Sequence, residues 1–330
     1  MINNHRKRYD SHNQDDFDKY QMNRRSWMAT TACALASCFS TASAETQPIK
    51  KNNALTLFSK HLGWMNYEEL AETTTQLGFD GVDLTVRPAG HVLPENVERD
   101  LPRATETIRK AGLDVTMITT QISDPNEPTT RTILKTASAL GIPFYRIGSW
   151  RYHPKRDVIA QLEEWKPKLK ALEALNQEYN LRAGYHNHSG RNYIGAPMWD
   201  IYELFKGLDR EWIGCNYDAA HAVAEGGYGA WEINMRLLAD RFKMCSVKDS
   251  EWVKGENGWR LTHPPVGEGM TPWPQILKMM KESGFSGPFS MHFEYEIPAQ
   301  SQEEERKKLM ECIKRDRSVF RKMMNDANIL

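Results

Sequence analysis

The sequence has no surplus of charge: 43 Lys and Arg stand against 43 Asp and Glu in 330 residues, with a pI near 7.1. That balance excludes the diffuse basic field on which non-specific binding to nucleic acid or to an anionic membrane depends. There is no run of 18 apolar residues, so no membrane-spanning helix is expected. No Gly-x-Gly-x-x-Gly follows the first apolar run, where Ser59-Lys60-His61 stand instead. The main marker of a dinucleotide-binding doubly wound sheet is therefore missing. Cysteine is scarce, five in all. What is present is globular: 40% hydrophobic and 10% aromatic residues with no net charge exclude a disordered chain.

Residues 1–23 are polar, Arg24-Arg25-Ser26-Trp27-Met28 follow, and an uncharged stretch from Ala29 ends Ala42-Ser43-Ala44 before Glu45. Charged, apolar and small-residue regions in that order predict an export signal of the twin-arginine type over residues 1–44, and hence a periplasmic protein. Leu35-Ala36-Ser37-Cys38 offers a competing lipoprotein box, in which Cys38 carries a lipid anchor. Cleavage after Ala44 leaves Cys215, Cys245 and Cys312, an odd number that argues against a disulfide framework.

Residues 45–330 read as one domain. Short apolar runs alternate with amphipathic stretches, the βαβα pattern of a parallel sheet. Eight strands are predicted, at 55–58, 81–86, 113–118, 144–147, 181–185, 213–217, 242–247 and 288–293. Eight helices are predicted at 67–77, 97–110, 130–140, 158–179, 199–205, 230–238, 273–281 and 302–324. Gly78, Gly112, Gly141 and Gly284 each close a helical run. Eight β and eight α elements in about 275 residues predict a single α/β domain of the TIM (β/α)8 barrel type.

Active sites of such barrels lie at the C-terminal ends of the strands. The fifth strand ends Tyr185-His186-Asn187-His188, and period two puts His186 and His188 on one side. The sixth ends at Asp218 with His221 three residues on, and the eighth ends His292-Phe293-Glu294. These imidazoles and carboxylates suit a divalent ion such as Mn, Zn, Co or Mg, with His186 (or His188), Asp218, and His292 or Glu294 as the candidate ligands. Alternation turns Ser246 and Lys248 of the seventh strand inward. A lysine there suits acid–base work or an electrostatic clamp on an enolate. Arg87, His91 and Arg146, at the second and fourth strands, are candidates to bind a hydroxylated or anionic substrate. His188 and Glu268, the latter in the Pro264–Met270 loop, join them. Trp150, Trp231 and Trp252 are candidates to stack on a sugar face.

Taken together, Gly184-Tyr185-His186-Asn187-His188, Pro197-Met198-Trp199-Asp200, Asp218-Ala219-Ala220-His221, Val247-Lys248-Asp249 and Met291-His292-Phe293-Glu294 resemble the xylose isomerase-like TIM barrels, in particular an exported branch of them. The resemblance spans roughly residues 54–296. It implies a divalent metal held from several strand ends, commonly by Glu, Asp, His and Glu, and proton transfer beside a carbonyl or hydroxyl of a sugar-like substrate. It also makes His221 a substrate-binding histidine. Two departures stand out: His replaces an expected Glu at strand five, and Ser246 stands at the usual strand-seven His.

The expected activity is a metal-dependent isomerisation or epimerisation of a small carbohydrate, with Lys248 or Glu294 moving the proton and His221 assisting. A lyase or dehydratase sharing the same enediolate, and a non-catalytic sugar-binding barrel, are the alternatives. No nucleic-acid partner is expected.

Overall fold

The computed structural model describes residues 52–330; the predicted export signal and the lipid-anchor reading at Cys38 lie outside the described residues. Along the chain the elements are β1 (Leu55–Phe58), α1 (Tyr67–Gln76), β2 (Gly81–Thr85), α2 (Val97–Lys110), β3 (Asp114–Thr119), α3 (Pro128–Ala139), β4 (Phe144–Ile147) and α4 (Val158–Tyr179). They continue with β5 (Arg182–His186), α5 (Trp199–Phe205), β6 (Ile213–Asp218), α6 (Ala219–Gly226), α7 (Ala230–Leu238), β7 (Phe242–Val247), β8 (Glu251–Gly255) and β9 (Gly258–Thr262). Last come α8 (Trp273–Glu282), β10 (Phe289–Met291) and α9 (Gln302–Asp326).

Eight of these strands, all parallel, close into the predicted barrel in the order β1-β10-β7-β6-β5-β4-β3-β2. The seam is short: β1 pairs with β10 through Leu55–Phe289, Thr56–Ser290 and Leu57–Met291. Along the barrel strands nearly every side chain is buried, as a sheet covered on both faces requires. Helix starts follow sequence chemistry. Asn66 and Glu69 form a reciprocal capping box on α1, and Asp157 and Ser301 cap α4 and α9. Gly112 and Gly141 follow α2 and α3 at φ of 80° and 69°, a backbone region that side chains with a Cβ disfavour.

Three elements depart from expectation. Helix α6 begins directly after β6, and β8 and β9 form an antiparallel hairpin beside the barrel rather than part of it. Trp150 and Trp231 are buried, Trp150 stacked on Trp165 at 4.3 Å, so neither presents a ring to a ligand; Trp252 is 41% exposed on the hairpin. Cys215 and Cys245 are buried and Cys312 half-buried, all three as free thiols. Among the described residues no helix is long and apolar enough to cross a membrane. At the far end from the strand tips, Asn53 Nδ2 donates to Ile329 O at 2.7 Å, tying the two ends of the described chain together.

Candidate active site at the strand ends

Asp218 is where β6 ends and α6 begins. Its Oδ1 caps the helix by accepting from the His221 backbone N–H at 2.9 Å. Its Oδ2 is turned to the barrel mouth, fully buried, and accepts no hydrogen bond. Asn187, which alternation puts on the other side of β5 from His186, clamps the Asp218 backbone: Nδ2 donates to Asp218 O and Oδ1 accepts from Asp218 N, both at 2.8 Å. One turn of helix then carries His221 back over the mouth.

Around Oδ2 stand His186 Nε2 at 3.5 Å, His221 Nε2 at 3.8 Å and Lys248 Nζ at 3.3 Å. Lys248 Nζ also donates to His221 Nε2 and to Glu294 Oε2, each at 2.8 Å. His221, with Nε2 accepting, carries its proton on Nδ1 and donates to Ser189 Oγ at 2.7 Å. Ser246 faces inward as expected, donating to Asn216 Oδ1 at 3.2 Å, with His186 Nδ1 3.5 Å from its hydroxyl. His292 stacks on Phe58 at 4.4 Å and leaves a buried Nε2 without a partner.

Burial lowers the pKa of His186, His221 and His292 well below the usual imidazole value, and Lys248 adds to the effect at all three. These rings are neutral and so able to bind a cation. Burial alone would raise Glu294, but the ammonium groups of Lys248 and Lys60 hold it far below the usual carboxylate range. It is ionised, with its second oxygen paired to Lys60 at 3.2 Å. Deeper in the barrel, Asp83 accepts from Thr119 Oγ1 at 2.8 Å and Ser290 Oγ at 2.7 Å, and burial pushes it up to about 6.

The predicted residues separate into groups. His186, His188, Asp218, His221, Lys248, His292 and Glu294 gather at one mouth; the His188 and His221 rings are 4.1 Å apart. Burial lowers the pKa of Arg146, with the charges of Asp83, Asp218 and Glu294 acting against that, and Arg87 lies over the Phe58 ring at 5.7 Å. His91 is tied to Thr85 of β2, its Nδ1 3.2 Å from Thr85 Oγ1. Glu268 is exposed on its loop. Among the described residues the three donors close enough to share one ion, mutually within 4.8 Å, are His186, Asp218 and His221. His292 and Glu294 lie outside that group and His221 lies within it. The two nitrogens and the orphaned carboxylate oxygen suit a divalent ion of borderline softness.

Several contributors were missed by sequence reasoning. Lys60 pairs with Glu294, and His61 Nε2 accepts from Phe293 N–H at 3.0 Å, with burial lowering its pKa to about 3. Both follow β1 directly, the same strand-end position that singled out the others. Asp249 accepts from Ser250, Gly267 and Thr271 N–H at 2.8–2.9 Å and so anchors the loop before α8.

Comparison with known proteins decides the family. Residues 71–315 match the family described as "Xylose isomerase-like TIM barrel". The chain belongs to that family. A curated relative, an uncharacterized protein of Methanocaldococcus jannaschii, is 22% identical over 124 residues, which cover 37% of this chain and 40% of the relative. Among solved structures, a xylose isomerase domain protein from Planctomyces limnophilus superposes with a TM-score of 0.62 at 14% identity, covering 85% of this chain and 99% of its own. D-psicose 3-epimerase from Clostridium cellulolyticum H10, solved with D-tagatose, gives 0.60 at 12% identity, covering 82% of this chain and 99% of its own. At such identities the likeness is one of fold.

Proposed function

We propose that this barrel is a sugar isomerase or epimerase that removes and returns a proton beside a carbonyl of a small carbohydrate. The carrying observation is Lys248, an ammonium 2% exposed, aimed into the mouth by contacts to Asp218, His221 and Glu294. Taking a proton from carbon beside a carbonyl leaves negative charge on the carbonyl oxygen, and a preorganised ammonium in a dry cleft stabilises that charge where it develops. Lys248 also holds protons that can be passed to this oxygen. The neutral imidazole of His188, whose Nδ1 donates to Ser189 O and whose Nε2 carries the lone pair, is the proton acceptor within the same cluster. Glu294 is too strongly held by two lysines to be a good base, and its part is to aim Lys248. Arg87, Arg146 and His91 are the groups assigned to orient hydroxyl or anionic parts of the substrate. A divalent ion, when bound, would be held by His186, Asp218 and His221 and would supply Lewis-acid polarisation of the carbonyl. The psicose epimerase likeness and the family membership support a carbohydrate substrate.

The test is solvent exchange: full-length protein with a panel of keto-sugars in deuterated buffer, followed by proton NMR. Deuterium is expected at the carbon beside the carbonyl, with Lys248→Met slowing incorporation at least ~10²-fold. No exchange into any keto-sugar of the panel sinks the reading. The same spectra register net loss of water or of an aglycone, the signature of an eliminating enzyme. For localisation, we propose export with cleavage after Ala44; the intact mass of the periplasmic protein should start at Glu45, and a full-length cytoplasmic mass overturns this.

A further inference from the structure

Two of the three atoms that Lys248 Nζ contacts, His221 Nε2 at 2.8 Å and Asp218 Oδ2 at 3.3 Å, belong to the His186–Asp218–His221 donor group. We propose that Lys248 is the built-in cation of this centre, and that a divalent ion binds the donor group only by displacing it. Asp218 Oδ2 and His221 Nε2 are 3.8 Å apart. An ion bonded to both at about 2.1 Å must lie close to the line between them. With Lys248 Nζ at 3.3 Å from one atom and 2.8 Å from the other, such an ion stands no more than roughly 3.3 Å from the ammonium. Two cations that close, in a cleft that excludes water, repel too strongly to share it.

The lysine's place is a prepared one. Glu294 gives it Oε2 at 2.8 Å while Lys60 holds Oε1 at 3.2 Å. His221 gives it Nε2 while Ser189 fixes the opposite nitrogen at 2.7 Å. Both acceptors are thereby aimed at the ammonium. Asp218 Oδ2, buried and free of any hydrogen bond, is the atom an incoming ion would bind first. This inference rests on reading the strand ends as the reaction centre and adds that one positive charge there is supplied by the chain itself.

The experiment is a Co2+ titration of the full chain without substrate, read by calorimetry and by the visible absorption of coordinated cobalt. Lys248→Met is expected to bind at least tenfold more tightly than wild type. Lys248→Arg, which keeps the charge, should show no gain, and adding Asp218→Asn to Lys248→Met should abolish it. Equal affinities in wild type and Lys248→Met, or tighter binding by wild type, overturn the proposal. Near-UV circular dichroism confirms that each variant is folded; if Lys248→Met is not, Lys248→Gln carries the same comparison. Failure of deuterium exchange with this tenfold gain intact would count against the proposed activity alone, and exchange without the gain against the lysine's role alone.

Discussion

Asp83 shows at the residue scale what the barrel interior does to charge. Burial holds its carboxyl up at about 6 from 3.8, even though Thr119 and Ser290 both donate to it. The folded protein therefore keeps this proton over a range in which the unfolded chain has lost it. The contribution is fully present below 3.8 and is lost as pH rises to about 6. Asp83→Asn should flatten the stability-against-pH curve in that window by about 3 kcal/mol, measured by urea unfolding at several pH values; an unchanged slope would refute the assignment. Ser189→Ala removes the acceptor of the His221 Nδ1 proton. It should reduce kcat in the exchange assay about tenfold and, by orphaning a buried donor, lower stability to urea by about 1–3 kcal/mol. Much of this centre is legible in the amino-acid sequence. Asp218, His221 and Lys248 are polar groups at strand ends, where alternation alone sorts inside from outside. Lys60 and His61 sit at an equivalent position, but in the sequence they register only as the absence of a glycine motif. Asn187 is illegible for a different reason: its work is done on backbone atoms of a neighbouring strand, which leave no periodic trace.

At the scale of the element, the Asp249 carboxylate is the main anchor of the loop before α8, with Asp316 accepting from Val266 N–H as well. Asp249 satisfies three backbone N–H groups, and a Cβ on Gly269 would lie 2.3 Å from Asp249 Oδ1. Asp249→Ala orphans all three donors at about 1–3 kcal/mol each, so a loss of at least ~3 kcal/mol is expected. Gly269→Ala should loosen the same loop, seen as faster hydrogen exchange at residues 264–271; wild-type protection would contradict the anchoring role. The barrel strands are predicted to within two residues or so at most ends because each is a buried β-rich run between helix signals. The β8–β9 hairpin is not, since Glu251–Thr262 is largely exposed and its pattern follows no core face. Helix α6 escapes notice because Ala219–Ala224 is buried throughout and so lacks an amphipathic stripe.

For the whole molecule, closure depends on its thinnest part. Strand β10 has three residues, and behind it Phe320 of α9 packs edge-on against Trp273 of α8 at 4.9 Å and tilted against Phe289 at 5.6 Å. Phe320→Ala opens a cavity directly behind the seam and should cost about 3–5 kcal/mol by denaturant unfolding; a cost below about 1 kcal/mol would show that the seam closes without α9. The hydrogen bond between Asn53 and Ile329 has a consequence of another kind. Residue 53 lies just before the start of β1, so both ends of the described chain leave from the face opposite the mouth. A resin, a sensor electrode or a fused carrier coupled through Leu330 would therefore leave the reaction centre facing open solution, and the protein could be immobilised without engineering its loops.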